Sequence, residues 1–136
     1  MPLELIRRDA ELSAVDDLLS AVPTGTSVLV LEGDVGIGKS TVWRAGIERA
    51  RARGFLVLAA HPLSTESVAA YSSLAELLAD MDTEVLDHLP APQRVAMDRV
   101  LSRADATGPG TDQRAVAAAV RSVLERLNQE SPVLVA

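Results

Sequence analysis

Between residues 33 and 40 the chain reads Gly33-Asp34-Val35-Gly36-Ile37-Gly38-Lys39-Ser40, and no other feature limits its fold so strongly. Glycines at this spacing allow backbone N–H groups to turn inward around an anion. Lys39, the only lysine of the chain, adds a compact positive charge, and Ser40 adds a hydroxyl that can bind Mg²⁺. The pattern G-x-x-x-x-G-K-[ST] therefore predicts a phosphate-binding loop of the Walker A type.

The segments on either side of this loop have the character that such a loop requires. Residues 27–32 form a short apolar run rich in β-branched residues, which predicts a buried strand. Residues 39–53 predict a helix with Trp43, Ile47 and Ala50 on one face and Gly54 at its end. Strand, glycine loop and helix thus follow in the order of a P-loop, in which the helix N-terminus also favours bound phosphate.

Apolar runs alternate with amphipathic stretches along the rest of the chain. Residues 55–60 and 131–136 predict two further buried strands. Helices are predicted over residues 9–22, from Tyr71 to Met81, after Pro90, and after an N-cap at Asp112. The predicted core positions of these helices are Leu12, Val15, Leu18, Leu19, Val22, Tyr71, Leu74, Leu77, Leu78, Met81, Val95, Val100, Leu101, Val116, Val120, Val123, Leu124 and Leu127. The alternation predicts an α/β fold, with a P-loop NTPase-type parallel sheet flanked by helices.

The composition argues against several classes of function. The net charge is −6, and residues 54–93 contain acidic side chains but no Lys or Arg, so we expect no direct nucleic-acid binding by this segment. The chain has no cysteine, which rules out disulfides and thiolate metal sites. It has neither an export signal nor an apolar run of the roughly 18 residues needed to cross a membrane, so we expect a cytoplasmic protein without membrane partners.

The predicted site is confined to the loop and the first helical turn after it. Lys39 is expected to neutralise the β- and γ-phosphates of ATP or ADP, which makes it the candidate catalytic residue, and Ser40 is the candidate Mg²⁺ ligand. His61 ends a strand beside Pro62, where a structural role is favoured over that of a catalytic base. The predicted nucleotide-binding residues are Gly33, Asp34, Val35, Gly36, Ile37, Gly38, Lys39, Ser40 and Thr41.

Several stretches together resemble the N-terminal ATPase domain of large ATP-binding LuxR-type transcriptional regulators, a STAND branch of the AAA+-like ATPases. Residues 5–12 are similar to the L-x-[GE]-R-x-x-E-L element of that family, with Arg7 where Gly or Glu is usual. Residues 32–45 are similar to its E-G-x-x-G-I-G-K-[ST]-T-L-W-x-A loop. Residues 51–60 and 71–78 resemble the second strand and the helix that follows it.

The resemblance implies an ATP- or ADP-binding regulatory module of a transcriptional regulator. In that family the run Pro132-Val133-Leu134-Val135 begins the Walker B strand, whose acidic residues follow it. The sequence stops at Ala136, before any such acidic residue. We therefore expect an incomplete fold, with residues 1–136 as the N-terminal part of the domain. Hydrolysis would then need residues from elsewhere, and we expect Asp80 and Asp82 to be surface residues rather than substitutes. The expected partners are the C-terminal domains of a longer regulator or a second copy of the chain.

Two other functions are compatible with the loop. A small P-loop kinase would phosphorylate a bound acceptor, but such kinases commonly begin almost at the loop and carry a basic lid. A non-catalytic interaction domain could retain a vestigial loop. Nucleotide titration distinguishes the interaction domain from the regulatory module and from the kinase. A screen of phosphate acceptors tests the kinase.

Overall fold

A computed structural model describes residues 8–22, 25–61, 71–102 and 112–136. The chain divides into two compact units, residues 1–57 with residue 136, and residues 58–135. The described residues are mostly helical. Of the element predicted at residues 5–12, residues 5–7 lie outside the described residues.

In the first unit, helix α1 (Asp9–Ser20) packs against helix α2 (Lys39–Ala52). Leu12, Val15 and Leu19 are buried, as their spacing predicts, whereas Leu18 is only partly buried and Val22 is exposed. Because α1 ends at Ser20, Val22 lies beyond the last turn of the helix. Burial of the apolar face of α1 is the main contribution to the stability of this helix pair.

Helix α2 has the predicted start and ends one residue earlier than predicted, and its buried face is wider than predicted. Ile47 and Ala50 are buried as expected, and Val42 and Gly46 join them, while Trp43 is only partly buried. Arg53 follows the helix as its C-cap, and Gly54 then adopts a left-handed conformation with φ +81°. Gly54 therefore ends the helix as predicted.

The prediction of a buried strand at residues 27–32 is wrong for this structure. No strand in the described part of the chain pairs with this segment, and the side chains of Val28 and Val30 are 82% and 68% exposed. A strand is stabilised by hydrogen bonds to a neighbouring backbone and by a covered face, and an apolar run does not create these by itself.

The second unit is built from helices around one apolar core. Its helices are α3 (Ser72–Leu77), a 3₁₀ helix (Thr83–His88), α4 (Ala91–Ser102) and α5 (Gln113–Leu127). The 3₁₀ helix was not predicted. Asp112 caps α5 as predicted, since its side chain accepts a hydrogen bond of 2.9 Å from the N–H of Arg114. The buried core residues are Leu58, Ala75, Leu78, Leu86, Ala96, Met97, Val100, Val116, Ala119 and Val123.

The core face of α4 differs from the prediction. Val95 is 52% exposed, whereas Ala96, Met97 and Val100 are buried. Residues 95, 96, 97, 100 and 101 are all apolar, so helical spacing alone allows neighbouring stripes of the helix to face the core. Packing of α4 against α5 selects the stripe that contains Met97.

Two short strands, β1 (Leu56–Leu58) and β2 (Val133–Val135), pair in a two-stranded parallel sheet. They correspond to the second and third predicted strands, shortened to three residues each. The predicted α/β character is therefore present in part, with fewer strands among the described residues than the sequence predicts. No helix in the described ranges is both long and apolar enough to cross a membrane.

Candidate nucleotide-binding site

The predicted phosphate-binding residues form an exposed loop that leads directly into α2. Residues 33–38 make up the loop, and Lys39, Ser40 and Thr41 form the first turn of the helix. Gly36 and Gly38 have φ angles of +82° and +98°, a conformation that L side chains rarely adopt. These two glycines therefore allow the sharp turns that bring the loop back to the start of the helix.

Several backbone N–H groups of the loop have no hydrogen-bond acceptor among the described residues. They belong to Gly36, Gly38, Lys39 and Ser40. The loop closes internally through a hydrogen bond of 3.3 Å from the N–H of Ile37 to the carbonyl of Asp34. The remaining amides cluster at the positive end of the α2 dipole, and this arrangement can bind an anion.

The side chain of Lys39 folds back onto the loop. Its Nζ donates hydrogen bonds of 2.7 Å to the carbonyl of Gly33 and 2.8 Å to the carbonyl of Asp34. An ammonium carries three donors, so these bonds leave one donor for a further acceptor. The lysine thus fixes the start of the loop relative to the helix and keeps its charge at the carbonyls of Gly33 and Asp34.

The other predicted site residues are accessible to solvent. Ser40 is exposed and Thr41 partly buried, while Val35 and Ile37 expose their side chains at the loop surface. The Ile37 side chain also lies close to Gly33, where an added β-carbon would be 3.0 Å from Ile37 Cγ2. Asp34 is exposed, and its backbone carbonyl contacts Lys39.

Arg8, which the loop motif does not include, also lies at this site. A β-carbon added to Gly38 would be 3.1 Å from Nη2 of Arg8, so the guanidinium rests against the last glycine of the loop. Its Nη1 donates a hydrogen bond of 2.8 Å to Oε1 of Glu11, and this bond lowers the pKa of the Glu11 carboxyl below its ordinary value. In the sequence, Arg8 stands at the arginine of the L-x-[GE]-R-x-x-E-L element that residues 5–12 resemble.

Three other residues considered from the sequence, His61, Asp80 and Asp82, lie in the second unit. His61 is exposed, and its backbone N–H donates a hydrogen bond of 3.1 Å to Oε1 of Glu76. Asp80 and Asp82 are exposed as predicted, and Asp82 caps the 3₁₀ helix by accepting a hydrogen bond from the N–H of Glu84. No group of three or more His, Asp or Glu side chains that could hold a metal occurs within residues 8–22, 25–61, 71–102 and 112–136.

Comparison with protein families places the chain in a known class. The model of the AAA ATPase domain family matches residues 4–136, which is nearly the whole chain. Comparison with curated proteins and with solved structures gave no significant match. The family match includes the loop, both helices of the first unit and all of the second unit. The chain belongs to the AAA ATPase domain family.

Proposed function

We propose that the chain binds Mg-ATP or Mg-ADP through residues 33–41 and acts as the nucleotide-binding regulatory module of a STAND-type transcriptional regulator. The observation that carries the proposal is that the backbone N–H groups of Gly36, Gly38, Lys39 and Ser40 have no acceptor among the described residues, on the same loop that the Lys39 ammonium contacts. An unpaired N–H is favourable only where water or an anion can reach it. A nucleotide phosphate would supply several oxygen acceptors and negative charge at the same place.

Each residue of the loop has a role that follows from its chemistry. The amides of Gly36, Gly38, Lys39 and Ser40 would surround the phosphates, and Lys39 would approach the β- and γ-phosphate oxygens. The Lys39 ammonium already lies at the loop, where the carbonyls of Gly33 and Asp34 hold it. This preorganisation would reduce the entropic cost of binding.

Ser40 is the residue that would hold Mg²⁺ together with the phosphates. It is exposed in the first turn of α2, next to the unpaired amides, so its hydroxyl is accessible to an ion on the phosphate side. Magnesium commonly uses few protein ligands and completes its octahedral shell with water and phosphate oxygens. A single hydroxyl beside the loop fits that donor set. The bound ion would neutralise phosphate charge.

The regulatory part of the proposal rests on the resemblance of residues 5–12, 32–45, 51–60 and 71–78 to LuxR-type regulators. On this proposal the protein is cytoplasmic, and the state of the nucleotide is passed to C-terminal domains of a longer regulator or to a second copy of the chain. Lack of basic residues over residues 54–93 supports such protein partners rather than direct contact with nucleic acid.

Isothermal titration calorimetry with Mg-ADP and Mg-ATP tests the nucleotide site. We expect Lys39→Ala to weaken binding by about tenfold or more, because a charge-assisted contact to phosphate is lost. Lys39→Arg should also bind poorly, since a planar fork does not replace a compact ammonium. Arg51→Ala, which removes one exposed charge from the last turn of α2, is the matched control and should bind normally.

Two results would contradict the proposal. If the folded wild-type chain binds neither nucleotide, the loop is vestigial and the chain is an interaction domain. If the folded Lys39→Ala variant binds as tightly as the wild type, the nucleotide binds somewhere other than this loop. Circular dichroism of each variant establishes that it is folded before titration.

A further inference from the structure

We propose that Ile37 is a positioning residue of the phosphate loop, whose side chain packs across Gly33 and keeps the loop in its phosphate-binding shape before a ligand binds. This inference rests on the proposed nucleotide site and assigns the order of that site to one apolar side chain. The starting observation is that a β-carbon added to Gly33 would lie 3.0 Å from Cγ2 of Ile37. Since a β-carbon lies about 1.5 Å from its Cα, Cγ2 is within about 4.5 Å of the Gly33 Cα, which is a van der Waals contact.

The contact distinguishes Ile37 from the other apolar side chain of the loop. Val35 is fully exposed, whereas Ile37 is 46% exposed. Ile37 therefore has a covered side that Val35 lacks, and Gly33 lies on that side. Covering this apolar surface favours the closed loop over an open one.

The backbone around Ile37 needs such a contact because glycine precedes and follows it. Gly36 and Gly38 have φ angles of +82° and +98°. Glycine has more accessible conformations than any other residue, so ordering this Gly-Ile-Gly segment has a high entropic cost. Isoleucine is β-branched and its χ1 is restricted, so packing of its γ-methyl group also restricts the backbone to which it is attached.

The same side of the loop is held by hydrogen bonds from Ile37 and Lys39. The carbonyl of Asp34 accepts a bond of 3.3 Å from the N–H of Ile37 and one of 2.8 Å from Nζ of Lys39. The carbonyl of Gly33 accepts the other bond from Nζ. The Lys39 bonds are exposed to water, where a hydrogen bond contributes little net stability. The Ile37–Gly33 contact is therefore the apolar part of an attachment that is otherwise polar.

The order of the loop affects affinity through the fraction of molecules that are ready to bind. When only part of the population has the binding conformation, the apparent affinity falls by that fraction. Loss of the Ile37 side chain should lower this fraction and leave every phosphate-binding donor of the loop in place. The expected effect is thus a weaker affinity for phosphate groups with no change in the groups that contact them.

Nuclear magnetic resonance of the ligand-free protein tests the order of the loop. Lys39 is the only lysine, so selective ¹³C labelling of lysine gives the side-chain signals of this residue alone. In the wild type we expect the Cε signal to relax as that of a restricted side chain, because two carbonyls hold the ammonium. In Ile37→Ala it should relax as that of a flexible side chain. Ile37→Val keeps the γ-methyl group that lies nearest Gly33 and should behave as the wild type.

Calorimetric titration with ADP and with inorganic tripolyphosphate tests the consequence for binding. For Ile37→Ala we expect both affinities to fall by about fivefold, the effect of losing a half-covered aliphatic contact. Ile37→Val should recover most of the loss. An equal loss for the two ligands is the result expected of a positioning residue, because tripolyphosphate has no base or sugar that the side chain could contact.

Two variants outside the loop are the matched controls. Ile47→Val trims a buried isoleucine of the same helix and should lower the stability of the fold, with the Lys39 signal and phosphate affinity unchanged. Val30→Ala trims an exposed apolar side chain three residues before the loop and should also bind normally. A loss equal to that of Ile37→Ala in either control would show that the effect is not specific to the contact with Gly33, and it would overturn the inference.

A double-mutant cycle with Gly33→Ala tests the contact itself. The added methyl group would lie too close to Cγ2 of Ile37, so Gly33→Ala should weaken tripolyphosphate binding by about tenfold. In the Ile37→Ala background that γ-methyl group is absent, and the same change should cost only about threefold, through backbone strain at φ +154°. Equal losses in the two backgrounds would contradict the contact.

The remaining outcomes separate this inference from the proposed function. If Ile37→Ala changes neither the Lys39 signal nor tripolyphosphate affinity, or changes only one of them, the inference fails and the nucleotide site stands. A loss confined to ADP would make Ile37 a contact of the nucleoside and would overturn its positioning role. If the wild type binds ADP but not tripolyphosphate, the inference again fails alone. If the wild type binds neither ligand, the proposed function fails and the inference fails with it.

Discussion

Val15 of α1 packs against Gly46 of α2. A β-carbon added to Gly46 would be 3.4 Å from Cγ1 and 3.7 Å from Cγ2 of Val15, which is ordinary van der Waals contact. Gly46 is buried within α2. The space between these residues therefore accommodates one methyl group and nothing larger.

This contact predicts opposite effects for two substitutions at residue 46. Gly46→Ala should stabilise the fold by about 0.5–1 kcal/mol, because alanine is a better helix former than glycine and its methyl group fits against Val15. Gly46→Leu should destabilise it by about 1–3 kcal/mol, because the larger side chain forces the helices apart. Urea unfolding followed by circular dichroism measures both. A loss of stability in Gly46→Ala would show that the helices are closer than the contact distances indicate.

Residues 95 and 97 of α4 should differ sharply in how much stability is lost when their side chains are truncated. Met97 is fully buried, so Met97→Ala should cost about 2–5 kcal/mol through lost burial and the cavity that remains. Val95 is 52% exposed, and Val95→Ala should change stability by less than about 0.5 kcal/mol. Chemical denaturation of the two variants tests which stripe of α4 faces the core. A larger loss of stability in Val95→Ala than in Met97→Ala would show that the stripe with Val95, as the sequence predicted, faces the core.

The cap of α5 predicts a dependence on the side-chain oxygen of Asp112. That oxygen accepts the hydrogen bond from the N–H of Arg114, so Asp112→Ala should cost about 1 kcal/mol. Asp112→Asn keeps an oxygen at the same place and should retain most of the stability. Thermal unfolding of the three proteins measures the effect. Equal losses for the alanine and asparagine variants would argue against a capping hydrogen bond.

The Arg8–Glu11 pair predicts a small dependence of stability on acid pH. The hydrogen bond from Arg8 lowers the pKa of Glu11 from its ordinary value of 4.5, so the pair stabilises the fold above that pH. The stabilisation is lost as the pH falls through the lowered pKa. The melting temperature of Glu11→Gln should therefore be slightly below that of the wild type at neutral pH, and the two should converge in acid.

Glu48→Gln is the control for this pH series. Glu48 is an exposed glutamate of α2 that forms no ion pair with the described residues, so its substitution should leave the shape of the pH curve unchanged. Because the Arg8–Glu11 pair is partly exposed to solvent, added salt should reduce the difference between Glu11→Gln and the wild type. A difference that grows as the pH falls would contradict the assigned pair.

The sequence by itself determined the features that depend on neighbouring residues. The spacing of Gly36, Gly38 and Lys39 predicted a loop that turns into a helix, because only glycine adopts these left-handed conformations readily. Asp112 predicted the start of α5 for a similar reason, since its short side chain reaches an N–H two residues ahead. Such effects act within one or two turns of chain and can be inferred from local pattern.

Tertiary structure decided the features that depend on distant parts of the chain. The sequence predicted Val28 and Val30 in a buried strand and Val95 in the core, but all three side chains are exposed. Apolar character shows that a residue can be buried, whereas burial requires another element to cover it. The placement of Arg8 beside Gly38 has the same origin: 30 residues separate them in sequence, and the packing of α1 on α2 brings them together.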